Sequence, residues 1–208
     1  LRKRRKEARP QELLDAALEV FVEKGFAASK MEDVASRAGV SKGTVYLYFP
    51  SKEELLKAVI RHNLSIAIAE GGGMAAGYEG STAELLKLLA LGWWERVGET
   101  QASGIFKLII TEMRNFPEFA EFYAAEVIDP GQRLIESMLQ RGIDRGEFRE
   151  VPLRDTAHAL IFPMLMLCLH KHSIGACSAA MAHTDPRAFI RNHIDLALHG
   201  LCRRPLGH

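Results

Sequence analysis

Residues 39–55, GVSKGTVYLYFPSKEEL, constrain the fold of this chain more than any other stretch. Gly39 stands where a helix ends and the backbone needs positive φ. Ser41 can cap a following helix, and Pro50 stops that helix two turns later. A helix so short buries little apolar surface, so its use is presentation rather than core-building. It presents Lys42, Thr44, Tyr46 and Tyr48, all donors suited to phosphates or base edges. A short helix held at an angle by a second one is the reading half of a helix-turn-helix.

Around this run the pattern is helical throughout. Residues 10–24 form a first helix, with Pro10 at its first position, Leu14, Ala17, Leu18 and Phe21 on one face, and Gly25 at its end. A second follows Ser29, which pairs with Glu32 as a capping box and buries Val34, Ala35 and Ala38. The third covers 42–49. The fourth opens with the box Ser51 and Glu54 and runs to about residue 69. Residues 71–80 are glycine-rich and without periodicity, which predicts a mobile loop. A third capping box, Ser81 and Glu84, starts a fifth helix, and a sixth spans 104–115. A seventh helical region runs over 117–145, broken or kinked at Asp129-Pro130 and ended by Gly146. The eighth covers 153–172 with a kink at Pro163. The ninth is capped by Asp185 with Pro186 in its first turn and ends near Leu201. The reading is all-α, about nine helices: a three-helix helix-turn-helix domain with a basic N-terminal arm over residues 1–55, then a larger helical domain over 56–208.

Charge supports the division. The 208 residues sum to +1, but residues 1–62 carry 13 Lys/Arg against 9 Asp/Glu, and the remainder carries 14 against 17. Arg2, Lys3, Arg4, Arg5, Lys6 and Arg9 form a basic arm beside the helix-turn-helix, a common phosphate-binding device. The longest apolar stretch, residues 159–169, falls short of the roughly 18 residues that a bilayer span needs, so no membrane partner is expected. Three cysteines, Cys168, Cys177 and Cys202, are an odd number and point to reduced thiols and a cytoplasmic protein. His170 and His172 are two apart and do not share a helix face, so with Cys177 they make no metal site. No nucleophile elbow, phosphate loop or helical His-Glu motif occurs, which argues against an enzyme and calls for no cofactor.

The segment over 10–55 resembles the DNA-binding domain of the tetracycline-repressor (TetR) family. The residues carrying the likeness are Ala17, Phe21, Gly25, Phe26, Met31, Val34, Ala35, Ala38, Gly39, Val40, Ser41, Gly43, Thr44, Tyr46, Tyr48, Phe49, Ser51, Lys52 and Leu55. The GIDRGEF stretch over 142–148 resembles the end of that family's seventh helix. The resemblance implies that Lys42, Gly43, Thr44, Tyr46, Tyr48 and Lys52 face double-stranded DNA. Glycine at 43 lets the backbone approach a phosphate or base. Ser29 and Lys30 open the second helix, whose free N–H groups can hold a phosphate, and Ser41 does the same for the third. Ser29, Ser41 and Ser51 are helix caps whatever else they do.

The resemblance further implies a ligand-binding and dimerisation domain. An aromatic and methionine-rich set suits an adaptable apolar pocket for a small-molecule effector: Trp93, Trp94, Phe106, Ile110, Met113, Phe162 and Met166, with Met164 beside them. Ordinary core packing explains each of them equally well. Glu112, Arg114 and His158 are the ionisable groups near them. A homodimer through the eighth and ninth helices is expected, with apolar faces including Ala157, Leu160, Ile161, Leu165, Ile190, Ile194, Leu196 and Leu198. Two functions then compete. One is a repressor that binds a palindromic operator and is released by a small molecule. The other is a DNA-binding protein of the same fold governed by a protein partner. An apolar cavity in the second domain favours the first, and a filled core favours the second.

Overall fold

The computed structural model of the chain describes residues 2–177 and 185–202. Its helices are α1 (Arg2–Lys24), α2 (Met31–Arg37), α3 (Lys42–Tyr48), α4 (Lys52–Ile60), α5 (Ile66–Gly77), α6 (Thr82–Trp93), α7 (Gly104–Glu112), α8 (Pro117–Tyr123), α9 (Asp129–Asp144), α10 (Leu153–His172), α11 (Ile174–Cys177) and α12 (Pro186–Leu201). A π turn over Arg61–Ser65 joins α4 to α5, and another over Ala124–Ile128 joins α8 to α9. With each joined pair taken as one, the described residues form nine helices and the single turn α11. They contain no strand, and an isolated bridge pairs Phe148 with Cys202.

Local chemistry accounts for most helix ends. Ser41 Oγ accepts from the Thr44 amide at 3.2 Å, Ser51 Oγ from Glu54 at 3.1 Å and Ser81 Oγ from Glu84 at 3.2 Å. Asp185 Oδ1 accepts from the amides of Arg187 and Ala188 at 2.9 and 3.3 Å. After α2, Gly39 takes φ +65°, so the Gly39 and Val40 amides turn back onto the carbonyls of Ser36 and Ala35. That closing motif needs a left-handed residue, which glycine supplies without strain. Gly142 serves close approach instead. The Phe148 ring folds onto it, and a Cβ there would lie 2.2 Å from Phe148 Cδ2.

Four expectations are corrected. Helix α1 begins at Arg2, so the basic arm continues it and Pro10 lies inside the helix. Lys30, not Ser29, is the N-cap of α2, and the reciprocal carboxylate is Asp33, whose Oδ2 accepts from the Lys30 amide at 2.9 Å. Residues 71–77 are helical, because α5 runs to Gly77 before a short connection reaches Ser81. Glycine costs about 1 kcal/mol against alanine in a helix. Tertiary packing overrides that cost here, since Gly71 sits between Leu89 and Leu134, each 3.3 Å from where its Cβ would be. Helix α7 stops at Glu112 rather than 115.

The break at Asp129-Pro130 takes the form of the π turn over Ala124–Ile128. Proline has no N–H for the Glu126 carbonyl four residues back. That oxygen accepts from Ser65 Oγ at 3.1 Å instead, and the Glu126 carboxylate meets Arg61 at 3.3 Å. The two π turns are thereby tied to each other. Helix α10, 20 residues with Pro163 inside, is with α11 long and apolar enough by length and composition to cross a membrane. Ala157, Leu160, Met164, Leu167 and Cys168 instead bury one side of it in the core. Burial pushes the Cys168 thiol up to about 12, outside the range of a reactive thiolate.

Candidate nucleic-acid interface and effector cavity

Helix α3 is anchored by one residue. Val45 is fully buried, while Lys42, Gly43, Tyr46 and Leu47 face outward. Tyr48 is half-buried against the core. The Lys42 ammonium pairs with the Glu32 carboxylate and lies 5.6 Å from the Tyr46 ring centroid. The hydrogen bond from Lys42 holds the Glu32 carboxyl below its usual range, and the same bond raises Lys42. A phosphate approaching Lys42 therefore competes with an ion pair on the surface. Nothing in the protein requires glycine at 43. Its φ is not positive, and a Cβ there would meet only Ser41 Oγ, at 3.8 Å.

Two residues placed at this surface by the sequence have other tasks. Ser29 is buried, and its hydroxyl donates to the Gly25 carbonyl. Lys52 Nζ donates to the carbonyls of Phe26 at 2.8 Å and Ser29 at 2.9 Å, with Ala27 at 3.4 Å, and lies 4.4 Å from the Phe26 ring centroid. Its protons are committed to closing the α1–α2 loop. Lys30 is exposed, but Glu32 and Asp33 fill the first turn of α2 and oppose a phosphate there. Leu47, missed in the sequence, is 79% exposed, the largest exposure of any large apolar residue described. Its three-residue offset from Thr44 was the available signal, since i and i+3 share a helix face.

Phe26 joins the reading unit to the rest. It is fully buried and meets Phe116 and Phe119 edge-on, both at 5.1 Å between centroids. The Glu112 carboxylate also reaches the α1–α2 loop, accepting from the Ala27 amide at 3.5 Å.

Between α5, α6, α9 and α10 lies an apolar cavity of about 670 Å³. Of the residues expected there, Trp93, Phe106, Phe162 and Met164 line it. The other four do not. Trp94 is buried against Gly98, Met113 packs on the core, and Ile110 and Met166 are 61% and 62% exposed. Walls that the sequence did not suggest come from Leu64, Ile68 and Gly71 on the α4–α5 helix, and Ile194 on α12. Small residues repeated along α5 were the signal: they let neighbouring helices approach. Polar lining is sparse. His158 Nε2 lies 3.2 Å from Gln132 Oε1, and Gln132 Nε2 donates to Glu136 at 2.7 Å. Glu70 and Arg96 pair with each other at 2.6 Å.

The expected dimer face also changes. Ala157, Leu160, Ile190, Ile194 and Leu198 are buried inside the chain, and Ile161 and Leu165 half-buried. The large apolar side chains left exposed on α10 and α12 are Phe162, Met166, Phe189 and Leu196.

A capped reading helix on a three-helix unit, joined by one continuous helix to a helical body with a ligand-sized cavity, defines a helix-turn-helix regulator. The comparisons make this specific. Residues 13–59 match the family model for bacterial regulatory proteins of the tetR family, and residues 79–188 match that for the tetracyclin repressor-like C-terminal domain. The chain is 34% identical over 155 residues to the uncharacterized HTH-type transcriptional regulator YfiR of Bacillus subtilis, covering 72% of each. It belongs to the TetR family of DNA-binding transcriptional regulators, which are not enzymes. The same fold is seen in the fatty acid degradation regulator FadR from Bacillus halodurans (TM-score 0.76, 23% identity, 92% of this chain and 98% of that one). It recurs in FadR from Bacillus subtilis in complex with stearoyl-CoA (TM-score 0.66, 20% identity, 91% and 98%).

Proposed function

We propose that this chain is a cytoplasmic repressor that binds a palindromic operator as a homodimer and is released by an apolar small molecule. The observation that carries the reading is the cavity. At about 670 Å³ it is large enough for a drug-sized or chain-like ligand, and the helix that leads from the reading unit forms one wall. A filled core would have favoured control by a protein partner. The lining offers few polar groups and pairs those it has, which suits a long hydrocarbon chain better than a compact polar effector. Stearoyl-CoA in the FadR relative makes acyl thioesters the first class to test.

In this reading Lys42, Gly43, Thr44, Tyr46 and Leu47 meet the DNA, with Tyr48 at the edge. Thr44 and Leu47 supply methyl groups for thymine, and Lys42 and Tyr46 donate to phosphates or base edges. The test is selection of a site from random duplex DNA, followed by anisotropy titration with and without stearoyl-CoA and a panel of shorter acyl thioesters. The expected result is a two-fold symmetric site and a coupling of about 1–3 kcal/mol for at least one chain length. A panel that occupies the cavity while operator affinity stays constant would favour the protein-partner function.

A further inference from the structure

The charged and amide groups at the cavity are engaged with one another. Glu70 pairs with Arg96, Glu95 with Arg187 at 3.0 Å, and His158 with Gln132. Tyr123 is the exception. It is the last residue of α8, lines the cavity and is 7% exposed. Its hydroxyl has no hydrogen-bond partner among the described residues. The fully enclosed side-chain atoms without a partner are Thr82 Oγ1 and Arg141 Nη1, so the Tyr123 oxygen is not shut inside the protein and opens onto the cavity. Burial holds the phenol above its ordinary 10.0, with the Cys168 thiol adding to the shift, so the proton stays on the oxygen. A hydroxyl that an apolar ligand covers without an acceptor costs free energy. Water answers the need poorly, because a buried water takes roughly two to four polar partners and these walls are largely carbon.

We propose that Tyr123 is the polar anchor of the effector site, and that the effector carries a neutral carbonyl oxygen, of a ketone, ester or thioester, set among hydrocarbon. The inference rests on the effector-cavity reading above and deepens it to one residue and one functional group. Three points select a neutral carbonyl. The hydroxyl proton has no acceptor in the protein, so an acceptor is what the site lacks. A carbonyl oxygen accepts and brings no proton of its own that needs a second partner. A carboxylate would need a cation in an apolar space, and Arg96, the one Lys or Arg among the described lining residues, is held by Glu70. Tyr123 thus selects for the oxygen, and the apolar walls select for the length and shape of the chain that carries it.

The experiment uses the full chain loaded with diphenylhexatriene, a hydrocarbon dye without polar atoms. The dye is displaced by undecane, by undecanoate, and by methyl nonyl ketone and dipentyl ketone, which carry the oxygen at the end and in the middle of the same chain. Each ligand is compared between the parent and Tyr123→Phe, which cancels that ligand's own cost of leaving water. The variant is expected to keep the parent's thermal midpoint or exceed it, because the hydroxyl it loses has no partner in the protein. It should bind at least one of the ketones about tenfold more weakly than the parent does, the scale of one buried hydrogen bond. Undecane should bind the variant at least as tightly as the parent. In the parent, the bound ketone's infrared carbonyl stretch should lie below that of the same ketone in hexane, a reading that needs no variant. Ketone affinities unchanged by Tyr123→Phe would overturn the inference, as would an equal loss for undecane or an unshifted carbonyl stretch. Tighter binding of undecanoate than of either ketone by the parent would move the polar contact to a cation and overturn it too. The effector-cavity reading survives those results. A parent that takes up neither the dye nor any of the four ligands would overturn both.

Discussion

The reading unit and the cavity-bearing body differ in what sets their helices, although Ser81 and Asp185 cap helices in the body as well. In α1 to α3 the helices are tied by short-range devices: Ser41 on Thr44, Lys30 on Asp33, and Gly39 closing α2. In the body, three helices run on through π turns, over Arg61–Ser65, Trp94–Gly98 and Ala124–Ile128, and a glycine-rich segment stays helical because Leu89 and Leu134 close around Gly71. The first region is specified residue by residue because it must present a fixed face to DNA. The second tolerates irregular turns because its product is a space, and a space is set by how far apart the helices stand. Phe26 and Lys52 are where the two constructions meet, since one fills the joint and the other ties the loop around it.

The comparison breaks first at Phe26. Phe26→Ala should destabilise the chain by about 3–5 kcal/mol, as buried aromatic deletions do. It should also weaken any transmission from cavity to DNA. Denaturant unfolding with a single transition at the lower midpoint is the expected record. Two separate transitions would show that the halves fold independently, and that the joint is looser than its packing indicates.

Lys52 and Lys42 give the next contrast. Lys52→Ala removes a charged donor from three carbonyls and should cost about 1.5–3 kcal/mol in stability, while the salt dependence of operator binding keeps its slope. Lys42→Ala should do the reverse. Its ion pair with Glu32 is exposed, so stability barely changes, and the slope of log K against log salt falls by about 1. A slope change in the Lys52 variant instead would return that residue to the DNA face.

Gly43→Ala sharpens the same contrast at smaller scale. With no internal contact against it, the added methyl should stabilise the free protein by up to about 1 kcal/mol through helix propensity. Operator affinity should drop, because the backbone can no longer be approached as closely. Gains in both quantities would place the DNA contact elsewhere on α3.

The smallest effect lies in the body. Burial lowers His172 below its ordinary 6.5, with Lys171 adding to the shift, while Ser103 holds its Nε2 at 2.7 Å. Between the folded and unfolded pKa values the unfolded chain binds more proton, so stability rises with pH. The contribution is full above pH 6.5 and is lost as pH falls through the lowered value. His172→Gln should flatten the thermal midpoint below pH 6.5, on the acid side of the ordinary histidine pKa. An unchanged pH profile would assign the acid-side loss to other groups.

How much of this was legible in the sequence follows from the range of each interaction. Ser41, Ser51, Ser81 and Asp185 were read correctly because a cap acts on an amide two or three residues away. Ser29 was misread because SKME allows two cap positions, and only its burial against the Gly25 carbonyl decides between them. Lys52 looked like a phosphate ligand because the carbonyls it binds lie 23 to 26 residues earlier. Trp93 and Phe106 reached the cavity while Ile110 did not, although all three share the same apolar composition.

The sequence by itself determined the helices, most of their ends, the reading helix and its family, since these rest on local propensity, capping and backbone sterics. Tertiary structure alone decided that residues 71–77 continue a helix, that Lys52 ties a loop, and that Phe162 stands between cavity and surface. Each of those depends on groups distant in the chain brought within a few ångströms, where burial and close packing outweigh the preference of any one residue.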